Sequence, residues 1–100
     1  MHKIAIFCGA SKGINNIYSE EAVKVGTYFT DHNIDLVYGG GKIGMMGIIA
    51  DTILEKNGKV IGVIPNLLRH EEVEHNEVTE MLITKTMSER KMVISKWLLL

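Results

Sequence analysis

Hydrophobic and polar positions along this chain follow two different patterns. The apolar run at residues 4–7 is typical of a short strand buried on both faces of a parallel sheet, and the mainly apolar residues 35–38 and 59–64 predict two further strands. Between these runs, residues 16–32 and 44–56 place apolar side chains at three- and four-residue spacing, which predicts two amphipathic helices. The pattern therefore predicts the order strand, helix, strand, helix, strand.

Further signals extend this order. Asn33 is suited to a left-handed residue at the end of the first helix, and Asn57-Gly58 is expected to end the second. Residues 81–83 are a candidate fourth strand, and a last helix is expected to begin near Met87, capped by Thr86 or Ser88. The alternation predicts one Rossmann-like domain over residues 1–100, a three-layer α/β/α fold with a parallel sheet of about four strands.

Residues 67–77 differ from the rest because they are acidic and include His70 and His75. The two histidines are one residue too far apart for the zinc-binding pattern H-E-x-x-H, in which both rings share one helix face. We therefore expect no metal here, and we predict a solvated loop or a short helical turn.

The strongest candidate for chemistry is the glycine-rich turn after the second strand. Gly39, Gly40 and Gly41 follow that strand directly, and Gly44 opens the next helix. Backbone without side chains can approach a ligand closely, and a helix N-terminus favours an anion, so the turn is interpreted as a phosphate site. The alternative is that the glycines only build a tight turn between strand and helix.

The spacing Gly39-x-Gly41-x-x-Gly44 also matches the dinucleotide-binding fingerprint. That fingerprint normally follows the first strand, and it requires an acidic residue about twenty positions later to bind a ribose hydroxyl. Here it follows the second strand, and residues 60–65 contain no carboxylate. An NAD- or flavin-linked redox protein is therefore disfavoured, and no cofactor is expected.

Two other regions are expected near the same edge of the sheet, because ligands bind at the carboxyl ends of parallel strands. Ser11 lies in the small, glycine-bearing loop after the first strand and is a candidate hydrogen-bond donor. Arg90 and Lys91 occupy the first turns of the last helix, where they could bind a phosphate or a carboxylate. The alternative for this pair is an ordinary solvated helix face.

Composition removes several classes of function. The 100 residues carry a net charge of −1 with 23% charged and 46% hydrophobic residues, which is ordinary for a soluble domain. There is no basic excess for nucleic acid and no apolar run of the ~20 residues that span a bilayer. We expect a cytoplasmic protein that binds neither nucleic acid nor membrane.

Four motifs together resemble those of the Lonely Guy (LOG) family, the cytokinin riboside 5′-monophosphate phosphoribohydrolases, whose members also carry the label "possible lysine decarboxylase". The resemblance covers residues 3–96, the N-terminal half of a family member. The motifs are Cys8-Gly9-Ala10-Ser11, residues 37–47 with the sequence VYGGGKIGMMG, residues 60–65 with the sequence VIGVIP, and Met87-Ser88-Glu89-Arg90-Lys91.

The resemblance implies a hydrolase that cleaves the N-glycosidic bond of adenine or cytokinin nucleoside 5′-monophosphates to free base and ribose 5-phosphate. It implies that the glycine turn, Gly39 to Gly41 with Gly44, lies at the nucleotide site, and that Arg90 and Lys91 contact the substrate, with Arg90 as the candidate catalytic residue. Glu72 aligns with a substrate-contacting glutamate. The resemblance also implies a homodimer or a higher homo-oligomer, and nothing supports decarboxylation of lysine.

One family motif, PGGxGTxxE, does not occur in the 100 residues. In the family it supplies a second phosphate-binding turn and the catalytic glutamate. We therefore expect this chain alone to hydrolyse its substrate poorly. The alternative is a non-catalytic nucleotide-binding or oligomeric remnant of the family.

Overall fold

The computed structural model describes residues 2–5, 16–42, 44–69 and 73–96. In these residues strands and helices alternate along the chain as the hydrophobic pattern predicts. The elements are β1 (His2–Ala5), α1 (Asn16–Asp31), β2 (Ile34–Tyr38), α2 (Gly44–Glu55), β3 (Val60–Pro65), a 3₁₀ turn (Asn66–Leu68), β4 (Glu80–Thr84) and α3 (Met87–Ser95).

The four strands of the described residues form one parallel sheet in the order β1-β2-β3-β4. Register pairs such as Leu36 with Val60 and Gly62 with Met81 align the strands so that their carboxyl ends lie along one edge. The parallel Rossmann-like sheet predicted from the sequence is confirmed. The glycine turn therefore begins at this carboxyl edge, beside the ends of β3 and β4.

Helices cover both faces of the sheet. Leu36 and Tyr38 of β2 pack with α1 and α2, through side chains that include Phe29 and Ile53. The intervening Val37 belongs to a second cluster on the opposite face, which contains Ile94 of α3. This alternation follows from the period of two in a strand, and it gives the predicted three layers.

The helix ends agree with the sequence signals. Asn33 and Asn57 adopt positive φ angles of 54° and 64°, directly after α1 and α2. The Thr86 side chain accepts a hydrogen bond from the Glu89 backbone N–H at 3.1 Å, which caps α3. This cap fixes the direction of the first turn of α3, from which Arg90 projects toward the sheet.

The prediction of a solvated loop or a short helical turn for residues 67–77 is wrong at His75, whereas Asn66–Leu68 form a 3₁₀ turn and Val73, Asn76 and Glu77 are exposed. Residues 73–75 run antiparallel to the glycine turn, with a bridge between Gly41 and Glu74. His75 is only 1% exposed. The physical reason is that its ring is hydrogen-bonded inside the protein, as described below, so burial does not leave it unpaired.

Among the described residues, no helix combines the length and apolar character that crossing a bilayer requires.

Candidate functional site

The three carbonyl groups of the glycine turn each accept a hydrogen bond from a different part of the chain. The Tyr38 hydroxyl donates to the Gly41 carbonyl at 2.7 Å. The Arg90 guanidinium donates to the Gly39 carbonyl at 2.7 Å, and the His75 backbone N–H donates to the Gly40 carbonyl at 2.8 Å. The conformation of the turn is therefore fixed by β2, by α3 and by the segment before β4.

The turn needs glycine for conformational and steric reasons. Gly40 and Gly44 have φ angles of +84° and +81°, in the left-handed region that other residues avoid. A Cβ on Gly39 would fall on the Arg90 guanidinium, and a Cβ on Gly40 would lie 3.1 Å from the Met81 sulfur. At Gly39 and Gly40 the missing side chain thus makes room for protein atoms, which the sequence interpretation did not foresee.

Arg90 joins the carboxyl ends of two strands. It is 9% exposed, and its Nε donates to the Val63 carbonyl of β3 at 3.0 Å while its terminal nitrogen reaches Gly39 after β2. A guanidinium keeps its charge at any physiological pH and offers five N–H donors in a fixed plane. The arrangement places a permanent positive charge beside the glycine turn, which leads into the N-terminus of α2.

Lys91 differs from Arg90, although the two are neighbours in sequence. Its side chain is exposed on the surface of α3, because successive helical residues point about 100° apart. The structure brings Arg90 together with the glycine turn and does not do so for Lys91. Ser11 and Glu72, the other two candidate site residues, lie outside the described residues.

An ion pair between Arg69 and Glu74 borders an open concavity of about 690 Å³ next to the turn. Arg69 forms a forked contact with Glu74, with Nε–Oε1 and Nη2–Oε2 distances of 2.8 and 3.3 Å. The hydrogen bond and the charge of Glu74 raise the pKa of Arg69 above its ordinary value. Leu67 and Val73 add exposed apolar surface to the same wall, so the concavity offers both polar and apolar contacts to a ligand.

Sequence reasoning missed a polar cluster beneath the turn. The His75 Nε2 lies 2.6 Å from the Asp51 carboxylate of α2, and its Nδ1 accepts a hydrogen bond from the Glu77 backbone N–H at 3.2 Å. Burial, and to a smaller extent the charge of Asp51, raises the pKa of the Tyr38 hydroxyl. That hydroxyl therefore stays protonated and keeps its bond to Gly41. The one sequence signal was Asp51, a charged residue in the middle of a mainly apolar helix.

Within the part of the chain that the structure describes, no group of three or more acidic, histidine or cysteine side chains is arranged to hold a metal ion. What the site offers is a fixed turn of backbone, a helix N-terminus and a buried cation. These are the elements that bind phosphate and other anions in proteins.

Comparison with known proteins gives concordant matches. A family model described as "possible lysine decarboxylase" matches residues 46–97. The chain is 40% identical over 94 residues to a cytokinin riboside 5′-monophosphate phosphoribohydrolase (LOG1) of Arabidopsis thaliana, with 94% of this chain and 44% of that protein covered. A rice protein of the same description is 38% identical over 95 residues, covering 95% of this chain and 39% of its own length. The chain thus spans less than half the length of these relatives.

A solved structure shares the fold. The molybdenum cofactor carrier protein of Chlamydomonas reinhardtii superposes with a TM-score of 0.71 at 20% identity, over 88% of this chain and 52% of that one. At this level of identity the similarity concerns the fold alone.

Proposed function

The chain belongs to the LOG family of possible lysine decarboxylases, and on that premise we propose that its glycine turn and Arg90 form the nucleotide-binding part of a phosphoribohydrolase site. The substrate class is an adenine or cytokinin nucleoside 5′-monophosphate. The products are the free base and ribose 5-phosphate. This substrate class follows from what the relatives are described as hydrolysing.

One observation carries the proposal: a buried arginine is fixed against the glycine turn at the carboxyl edge of the sheet. The Arg90 bonds to Gly39 and Val63 hold the guanidinium beside the glycine turn, and that turn leads into the first turn of α2. A phosphate there would meet a permanent cation and the positive end of a helix dipole together. The proposed site therefore binds the 5′-phosphate and leaves the ribose and base to neighbouring surfaces.

The chemistry sets a second requirement. In hydrolysis, water adds to C1′ of the ribose as the bond from C1′ to the base nitrogen breaks, and one water proton leaves with the base. Positive charge develops on the ribose in the transition state, so a nearby carboxylate accelerates the step. Glu72 is our candidate for such a carboxylate, and Lys91 is a candidate second cation for the substrate.

The 100 residues lack the PGGxGTxxE motif. We therefore propose that this polypeptide by itself binds the nucleotide but hydrolyses it slowly. A non-catalytic nucleotide-binding domain is the alternative, and both versions predict binding of AMP through its phosphate.

The test is calorimetric titration of the purified chain with AMP and with adenosine, beside a chromatographic assay of adenine release. We expect AMP to bind at least about tenfold more tightly than adenosine, because adenosine lacks the charge-assisted contacts. Equal affinities, or no binding of AMP, would overturn the proposal. Adenine release that is lost in Glu72→Gln would show that this chain carries its own catalytic carboxylate.

We also propose that the chain self-associates. β4 is an edge strand of the described sheet, with Leu82 and Ile83 exposed at 37% and 42%, and an exposed apolar edge favours pairing with another chain. Light scattering after size exclusion distinguishes a homodimer or larger assembly from a monomer, and a monomer at all concentrations would contradict this part of the proposal.

A further inference from the structure

A buried histidine that the proposed chemistry does not use lies directly beneath the glycine turn. His75 is among the largest side chains of the described residues that are fully buried. Both of its ring nitrogens are hydrogen-bonded, one to the Asp51 carboxylate and one to the Glu77 backbone N–H. A buried polar ring with both nitrogens paired is a fixed structural anchor.

The partners define the protonation state of the ring. A backbone N–H can only donate, so the Nδ1 that faces Glu77 must be the acceptor. The proton of the neutral imidazole is then on Nε2, which donates to Asp51 at 2.6 Å. His75 therefore connects α2 to the segment before β4 with a defined direction at each hydrogen bond.

The anchored segment holds the glycine turn. The His75 backbone N–H donates to the Gly40 carbonyl at 2.8 Å, and the Lys42 N–H donates to the Val73 carbonyl at 2.9 Å. Val73, Asn76 and Glu77 are otherwise exposed. The ring of His75 is thus the fully buried attachment of residues 73–77 to α2, beside the ion pair that joins Glu74 to Arg69.

Asp51 also acts through its charge on a second attachment of the turn. Its charge contributes to the raised pKa of Tyr38, whose hydroxyl donates to the Gly41 carbonyl at 2.7 Å. One carboxylate of α2 therefore bonds to the ring of His75, whose backbone holds Gly40, and acts through its charge on Tyr38, whose hydroxyl holds Gly41. The Asp51 side chain is about half exposed, so its carboxylate lies between the buried ring and the solvent.

From this geometry we infer that His75 and Asp51 are positioning residues of the nucleotide site: they hold residues 73–77 against the glycine turn and keep that turn in its binding conformation. The inference rests on the proposed function. Neither residue needs to touch the nucleotide, because each acts through the backbone of the turn.

The expected loss of AMP affinity follows from the fraction of molecules in which the glycine turn has its binding conformation. If loss of the ring leaves the turn in its binding conformation for only a tenth of the time, the apparent affinity for AMP falls about tenfold. The variant His75→Ala is expected to show this loss, and Asp51→Ala a smaller one. His75→Gln retains an amide that can donate to Asp51, so it is expected to recover part of the affinity.

The control is His32→Ala, which removes an exposed histidine at the end of α1. The experiment measures AMP affinity by calorimetry at a temperature where circular dichroism shows each variant fully folded. Amide hydrogen exchange, followed by NMR, gives a second reading. In His75→Ala we expect exchange to accelerate at the backbone N–H groups of Lys42 and residue 75, which donate to Val73 and Gly40. We expect little change in β3 and no acceleration in the control.

The outcomes separate the possibilities. Parental affinity in His75→Ala would overturn the inference, and so would a uniform acceleration of exchange across the domain, since that is the signature of general destabilisation. If the parent chain itself fails to bind AMP, the proposed function fails and the exchange pattern alone decides. Local acceleration then supports His75 as the anchor of the turn, and unchanged exchange rejects it.

Discussion

The apolar layer on one face of the sheet and the carboxyl edge, where the glycine turn lies, are stabilised by different interactions. On one side, α1 and α2 pack on β2 and β3 through fully buried apolar side chains such as Leu36 and Ile53. On the other side, the carboxyl edge of the sheet is fixed by polar groups, among them Arg90 and His75, which bond to backbone carbonyls of the turn. The apolar layer is stabilised by the burial of apolar surface, and the carboxyl edge by hydrogen bonds between particular donors and acceptors.

This difference has a functional consequence. Apolar packing is non-directional and tolerates changes that preserve volume, whereas a hydrogen bond to a carbonyl fixes both distance and direction. A phosphate site requires donors that are fixed in distance and direction. Substitutions in the apolar layer should therefore change stability alone, and substitutions at the carboxyl edge should change stability and nucleotide affinity together.

The largest effect on stability is expected in the apolar layer. Ile53→Ala removes a fully buried side chain from the contact between α2 and the sheet, which should lower the free energy of unfolding by about 3–4 kcal/mol. Urea denaturation measures the loss, and Ile53→Val should lose only about 1 kcal/mol. The folded fraction is expected to bind AMP as the parent does. A weaker affinity per folded molecule would contradict the separation of the two regions.

Arg90→Met should affect both properties. The change leaves the carbonyls of Gly39 and Val63 without the guanidinium, at a cost of about 2–3 kcal/mol. It also removes the cation of the proposed site, so AMP affinity should fall by at least about tenfold. The matched control is Lys96→Met, which removes an exposed cation at the end of the same helix. Loss of stability with unchanged AMP affinity would show that Arg90 is purely structural.

The same contrast explains how far the sequence could be interpreted. Helix α2 and strand β3 were predicted nearly in full because their apolar spacing is a local property. The left-handed Asn33 and the end of α2 before Asn57 were predicted for the same reason. Each of these features depends on residues within a few positions of one another.

The carboxyl edge depends on contacts between distant parts of the chain. Arg90 bonds to Gly39 across 51 positions, and His75 bonds to Asp51 across 24. Motif similarity indicated that Arg90 and the glycines belong to one site, but no spacing rule indicated that Arg90 fills the space above Gly39. The burial of His75 in an acidic stretch was missed because its partner lies on another element.

The smallest effect concerns the bond between Tyr38 and Gly41. At neutral pH, Tyr38→Phe should lose about 1 kcal/mol, the net value of one hydrogen bond. Burial and the Asp51 charge raise the pKa of Tyr38 in the folded state, while the unfolded phenol ionises near pH 10. The folded state therefore binds the proton more tightly, and this contribution is complete below pH ~10 and declines as the pH rises further.

The parent should thus lose up to about 1.4 kcal/mol per pH unit above pH ~10 through this group, and the phenylalanine variant should not. The two stabilities are expected to converge near pH ~11, since the slope then offsets the lost hydrogen bond. Tyr28 and the lysines are present in both proteins, so their titration cancels in the difference. Urea denaturation from pH 8 to 11 measures it. Parallel declines in the two proteins would mean that the fold does not hold the Tyr38 hydroxyl in its protonated form, and the polar support of Gly41 would have to be reassigned.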